Sequence, residues 1–141
     1  MTRASSPKFT RQKQLGLIEL LAASSDVFAI CKDIAKAEYF DPDLRKIVSF
    51  LHGYYDEYNA LPSTRQILAE TEIELNEYES LTTAENEYGA AELEKFCQWR
   101  AVEIAIIKAA NSLQTANAET DYGSIEQSIR DAINVSLNKD L

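Results

Sequence analysis

The chain has few residues that interrupt helices: four glycines and three prolines in 141 residues. That is too few for the many turns of a β-sandwich or barrel. Its two cysteines, Cys31 and Cys97, lie too far apart in sequence for a zinc knuckle and are too few for a disulfide framework. They suit a reducing compartment as two small core residues. The single histidine, His52, sits beside Leu51 and Gly53 with no second ligand or nucleophile at a suggestive spacing. It reads as a packed or half-exposed side chain. Gly16, Gly53, Gly89 and Gly123 form no cluster, and there is no G-x-x-x-x-G-K-[ST] loop to cradle phosphate. No apolar run approaches the ~18 residues of a membrane span, and Met1 is not followed by a signal-peptide core. Neither an enzyme nor a membrane protein is expected, and no cofactor or metal site is assigned.

The remaining composition is that of a folded chain, 45% hydrophobic and 26% charged. The length fits one domain, and a domain of this size buries about two-thirds of its unfolded surface. With 14 Lys and Arg against 23 Asp and Glu, the formal charge is −9. The distribution matters more than the sum. Residues 1–14 carry Arg3, Lys8, Arg11 and Lys13 with no acid, whereas nine glutamates and no base lie between Arg65 and Lys95. An acidic body repels phosphate, so little direct DNA binding is expected of it. The Ser/Thr-rich leader reads as a solvated tail. The glutamate run lacks the Asp/Asn/Gly alternation of a calcium loop and reads as a solvated acidic face.

Helical spacing organises most of the chain, and no strand signal survives. Leu15, Ile18, Leu21 and Ala22 mark a helix over 11–23. Ser24, Ser25 and Asp26 break it and offer an N-cap for a second helix with Val27, Ile30, Cys31 and Ile34 on one face. Asp41-Pro42 reads as an N-cap and first helical position for a helix that buries Leu44, Ile47, Val48, Leu51 and Tyr55 and runs to about Tyr58. Tyr54, Tyr55 and Tyr58 resemble a base-stacking platform only superficially, because no basic residues interleave them; they read as core and surface packing. Ser63 and Gln66 form a capping box for a short helix bearing Ile67 and Leu68 that fades near Thr71. Residues 72–89 read as a turn or two of helix and then an exposed loop closing at Gly89. A single long helix is expected from Ala90 to about Ala116, a turn over 117–123, and a last helix from Ser124 to Leu137 with Ile125, Ile129, Ile133 and Leu137 on one stripe.

The long helix has two apolar flanks. Leu93, Phe96, Cys97, Ile104 and Ile107 cluster on one side with Arg100 among them; Trp99, Val102, Ile106, Ala109 and Leu113 cluster nearly opposite. The last helix has one stripe and can cover only one flank. About 27 residues at ~1.5 Å each span roughly 40 Å, while the preceding ~90 residues form a globule only about 30 Å across. The expected architecture is all-α: a leader at 1–10, a compact helical globule at 11–89, a protruding antiparallel hairpin at 90–137 and a tail at 138–141. Candidate interface residues are Phe96, Trp99, Arg100, Val102, Ile106, Ile107 and Leu113, with Ile125, Ile129 and Ile133 on the last helix. Arg100 has two readings, a snorkelling side chain within the chain or a pairing group across an interface.

One ordered set of motifs is familiar. Glu38-Tyr39-Phe40, an amphipathic helix ending in Tyr54-Tyr55-Asp56-Glu57-Tyr58, then Leu61-Pro62-Ser63 and a short helix at Ile67-Leu68 resemble the N-terminal domain of DnaB-like replicative helicases. Gln98-Trp99-Arg100-Ala101 is similar to a segment on the long helix of T4-like phage helicases. The resemblance covers most of residues 10–137, through short and mostly structural motifs. It implies a helical globule and hairpin whose hairpins pair between subunits into a collar, a trimer of dimers, on a hexameric ATPase ring. The implied partners are a second copy, primase and, in some systems, a helicase loader. The implied setting is DNA replication in a bacterial cytoplasm, the host's if the chain is phage-encoded. ATP and Mg belong to the ATPase module of a full-length helicase, which this chain lacks, so an excised domain or a stand-alone relative is expected. Two other readings remain open: the helicase-binding C-terminal domain of a DnaG-like primase, which resembles the same globule-plus-hairpin design, and a small DNA-binding protein using the basic leader.

Overall fold

The computed structural model describes residues 9–78, 81–117 and 119–136. Among these the chain is all-α, with six helices and no strand.

Helix α1 (Arg11–Ala23) starts where Thr10 accepts a hydrogen bond from the Lys13 amide. It ends at Ser24, where it meets α2 (Ser25–Cys31) at a bend of 109°. Ser24 makes the corner: its amide donates to Leu20 O, its hydroxyl accepts from the Val27 amide, and that same hydroxyl donates to Asn86 of a later helix. A 3₁₀ turn (Ala37–Tyr39) leads to α3 (Arg45–Tyr58). Helix α4 (Thr64–Thr71) carries the expected Ser63–Gln66 capping box. Helices α3 and α4 both end in left-handed residues, Asn59 and Glu72. Helix α5 (Thr83–Gln114) and helix α6 (Tyr122–Ile133) complete the chain, and long α5 packs against α6.

Several sequence expectations are corrected, and α5 and α6 also end earlier than expected, at Gln114 and Ile133 rather than about Ala116 and Leu137. Helix α5 starts at Thr83 and not Ala90, because Thr82 and Glu85 form a second capping box. Gly89 therefore lies inside the helix. It is buried where α5 crosses α1, and a Cβ there would stand 3.1 Å from Leu20 Cδ1, so a larger residue would have to displace the Leu20 side chain by a few tenths of an ångström. Second, Asp41 does not cap α3. Its carboxylate turns inward, Asp41–Leu44 forms a turn closed by Leu44 N–H to Asp41 O at 2.8 Å, and Leu44 precedes α3 without a side-chain cap. Third, α2 stops at Cys31, so Ile34 is buried from the following turn and Ile30 is left exposed. At the chain ends, residues 1–8 and Leu137–Leu141 lie outside the described residues, but Phe9 and Thr10, read from sequence as leader, belong to the packed body.

The core is continuous from Phe9 through α1, α2 and α3 to the first two-thirds of α5. Its aromatic centre is Phe96, whose ring meets Phe9 edge-on at 5.2 Å and Phe40 at 4.8 Å. A second aromatic group joins Phe28 to Tyr55 at 4.8 Å and to His52 at 5.2 Å, and His52 Nε2 hydrogen-bonds Ala35 O. Beside the first lies a buried polar node. Gln14 donates to Phe9 O and to Asp41 Oδ1, and accepts from the Asp41 amide at 2.8 Å. One side chain thus satisfies backbone groups of two connections at once, while Asp41 Oδ2 is buried without a partner. The acidic segment after α4 is also held: the buried Glu19 accepts from the Asn76 amide at 2.7 Å, and Thr64 hydrogen-bonds Glu77.

Removing Gln14 leaves several buried groups unsatisfied, each worth about 1–3 kcal/mol. Gln14→Ala is expected to lower unfolding stability by about 2–4 kcal/mol in urea melts, against less than about 0.5 kcal/mol for an exposed neighbour such as Gln12→Ala. Equal losses for the two would remove the node from the account of stability.

Candidate functional site

The candidate site is the surface of α5 and α6 beyond the core. Along α5 the buried residues are Gly89, Ala90, Leu93, Phe96, Cys97, Ala101 and Ala105, and none follows Ala105. At ~1.5 Å per residue, 32 residues make a rod of about 48 Å, of which the last nine residues extend past that point.

Helix α6 returns along α5. Gln98 Nε2 donates to Ile133 O at 2.8 Å and Ser136 Oγ donates to Glu94 Oε2 at 2.9 Å, so the later residues of α6 meet the earlier ones of α5. Ala101 and Ala105 on α5 and Ala132 on α6 are the buried residues of this region. Small side chains allow close backbone approach and leave little apolar area enclosed per residue. Asp121 caps α6, accepting from the Ser124 amide and hydroxyl, and these bonds hold its carboxyl below the ordinary carboxylate value. The helix accordingly begins at Tyr122, two residues before the expected Ser124.

The two predicted flanks divide differently in three dimensions. On the first, Leu93, Phe96 and Cys97 are buried, Ile104 is half-buried and Ile107 is 53% exposed. On the second, Trp99 and Val102 are half-buried and packed against the core, whereas Ile106 and Leu113 are 55% and 56% exposed. Trp99 is covered in part by Phe9, ring centroids 6.1 Å apart, a neighbour that sequence reasoning had placed in a tail. Coverage thus ends with position along the rod more than with flank. On α6, Ile125 and Ile129 are half-buried and Ile133 is exposed. Tyr122, also exposed, was missed because it falls in the expected turn; Asp121 followed by Ser124 is the capping signal that marks it.

Arg100 is held within its own chain. Its Nε donates to Tyr39 O at 2.6 Å and its Nη1 to Glu103, with the side chain only 19% exposed. Burial raises the Tyr39 phenol above its ordinary value, with the neighbouring Cys97 and Glu38 adding to the effect. Burial likewise pushes the Cys31 thiol up to about 11, with Glu94 adding to it, and drives Cys97 higher still. Both therefore stay protonated at neutral pH, the state of an inert core thiol. At the exposed end of α3, a hydrogen bond to Glu57 raises the Tyr58 phenol. Among the described residues, no three His, Cys, Asp or Glu side chains are grouped to hold a metal ion, and no single helix is long and apolar enough to cross a membrane.

Compared with known proteins, the chain matches no family model, no curated protein and no solved structure.

Two outcomes follow from this geometry. Ile106→Ser with Leu113→Ser is expected to change monomer stability by less than about 1 kcal/mol, whereas Phe96→Ala costs about 3–5 kcal/mol; circular-dichroism melts at low concentration distinguish them. The depressed Asp121 carboxyl contributes stability that is present above its unfolded value and is lost as pH falls through the folded one. The protection factors of α6 amides, exchange rates corrected for their intrinsic pH dependence, should therefore fall below the usual carboxylate range in the native chain and lose that extra acid sensitivity in Asp121→Asn.

Proposed function

We propose that this chain is a non-catalytic assembly and docking domain of a DnaB-like replicative helicase from a phage or bacterium. The observation that carries the reading is the set of exposed Ile106, Ile107 and Leu113 on α5, beyond the last buried residue of the rod, with Tyr122 exposed at the start of α6. Large apolar side chains grouped outside a core favour burial against another protein. The ordered motifs from Tyr39-Phe40 to Ile67-Leu68, together with Gln98-Trp99-Arg100-Ala101, supply the family likeness.

In this reading residues 11–89 form the globule and residues 90–137 a protruding antiparallel hairpin, with the root of its long arm extended back to Thr83. Hairpins pair between copies, and paired hairpins build a collar of three dimers to which primase docks. A helicase loader is a further partner in the same bacterial cytoplasm. Burying a large apolar side chain contributes about 1.5–3 kcal/mol, and association costs at least ~4 kcal/mol. These few side chains are already half-covered in the monomer, so the surplus over the association cost is small and an isolated domain is expected to dimerise weakly. ATP and Mg act in the separate ATPase module of such a helicase.

Sedimentation velocity from micromolar to high-micromolar concentration is the test. The native chain is expected to dimerise, and Ile106→Glu with Leu113→Glu to remain monomeric with unchanged helicity. A native chain that stays monomeric throughout overturns the pairing. Capture of purified primase, and not of a purified helicase collar, separates this reading from that of a primase C-terminal domain.

A further inference from the structure

Helix α3 carries more aromatic surface than the core uses. Ile47, Val48 and Leu51 face inward and are fully buried, and Tyr55 completes that side against Phe28. On another face Phe50, Tyr54 and Tyr58 follow one another at four-residue spacing, which sets them in one row on the helix surface. Their rings touch in succession, Phe50 to Tyr54 at 5.9 Å and 66°, and Tyr54 to Tyr58 at 4.6 Å and 48°. Tyr58, at the end of the row, is 58% exposed.

Helix α4 runs along this row without filling it. Gln66 Nε2 donates to the Tyr54 hydroxyl at 3.3 Å, and the small side chain of Ala69 leaves a groove of about 550 Å³ between the helices. The aromatic row supplies apolar lining. Two carboxylates, Glu57 and Glu70, also line the groove, and no lysine or arginine does.

Aromatic faces flanked by carboxylates suit a cation carried on an apolar stem. The ring quadrupole attracts an ammonium or guanidinium, and a carboxylate pairs with it. A nucleic acid has bases able to stack on the row, but its phosphates are repelled by the acids around it. A groove between two helices also has the shape that receives a third. We infer that the α3–α4 groove docks a basic amphipathic helix of a partner protein, its aliphatic residues against Phe50 and Tyr54 and its Lys or Arg between Tyr58, Glu57 and Glu70. This face is separate from the exposed apolar surface of α5 and α6, and the inference stands whether or not the helicase reading does.

The test uses the full chain and fluorescein-labelled helical peptides with leucine on one face and Lys or Arg on the other. A twin carries Glu in place of the bases, and an oligothymidylate serves as nucleic-acid probe. Anisotropy is expected to show saturable binding of the basic peptide alone. Tyr54→Ala and Tyr58→Ser should each weaken it about tenfold, the cost of one lost stacking or cation–π contact. Glu57→Gln with Glu70→Gln should weaken it similarly. The charge-matched control, Glu119→Gln with Glu126→Gln, should change it less than about twofold. Tyr58→Ser alters an exposed side chain and so reports on the groove if Tyr54→Ala disturbs folding. Equal losses in the groove and control pairs, or unchanged affinity in Tyr58→Ser, overturn the inference. So does tyrosine-dependent binding of the oligothymidylate in place of the peptide.

Discussion

Burial of one side of α5 between Gly89 and Ala105 is the constraint around which the other elements are arranged. Phe96 lies at its centre, in contact with Phe9 before α1 and Phe40 before α3. Those two aromatics arrive on connecting segments, whose backbone groups must be satisfied once they are covered. Gln14 does this for both, bonding Phe9 O and the Asp41 amide from a single side chain. Upstream on the rod, Gly89 lies against the Leu20 side chain of α1. Hydrophobic burial supplies the drive and one polar side chain makes its geometry possible.

The same constraint explains why the rod is uncovered at its far end. The elements before α5 reach only as far as the residues they bury, and α6 meets the rod where alanines stand on both helices. That contact buries Ala101, Ala105 and Ala132 and leaves Ile106, Ile107 and Leu113 exposed. Arg100 spends its donors on Tyr39 O and Glu103. It fastens the rod to the turn before α3. In the α3–α4 groove, aromatic rings and carboxylates lie together. In the proposed readings the two surfaces take different occupants, one a second copy of the same apolar face and the other a cationic helix.

Much of the local structure was legible because its causes are local. Thr10, Ser24 and Ser63 cap helices through side chains within three residues of the amides they serve. The core positions of α1 and α3 recur at the helical period. Errors arose where a residue's role was decided by something distant. Asp41-Pro42 has the composition of a helix start, but Gln14, 27 positions earlier, takes up the carboxylate. The glutamate-rich stretch before Ala90 reads as a loop by composition, yet Thr82 and Glu85 start a helix within it, and Ser24 of the α1–α2 corner bonds Asn86 in its first turns.

By itself the sequence determined an all-helical chain, the limits of α1 and α4, the core faces of α1 and α3, and a long helix with two apolar flanks. Periodicity and capping encode these over a few residues, so they need no knowledge of the rest of the chain. Only the tertiary structure decided which part of that surface is hidden. Phe9 covers Trp99 from a segment that looks like a tail, and α6 packs on α5 without enclosing the isoleucines beyond Ala105. Coverage is a property of neighbours far apart in sequence, and no local pattern records which neighbour arrives.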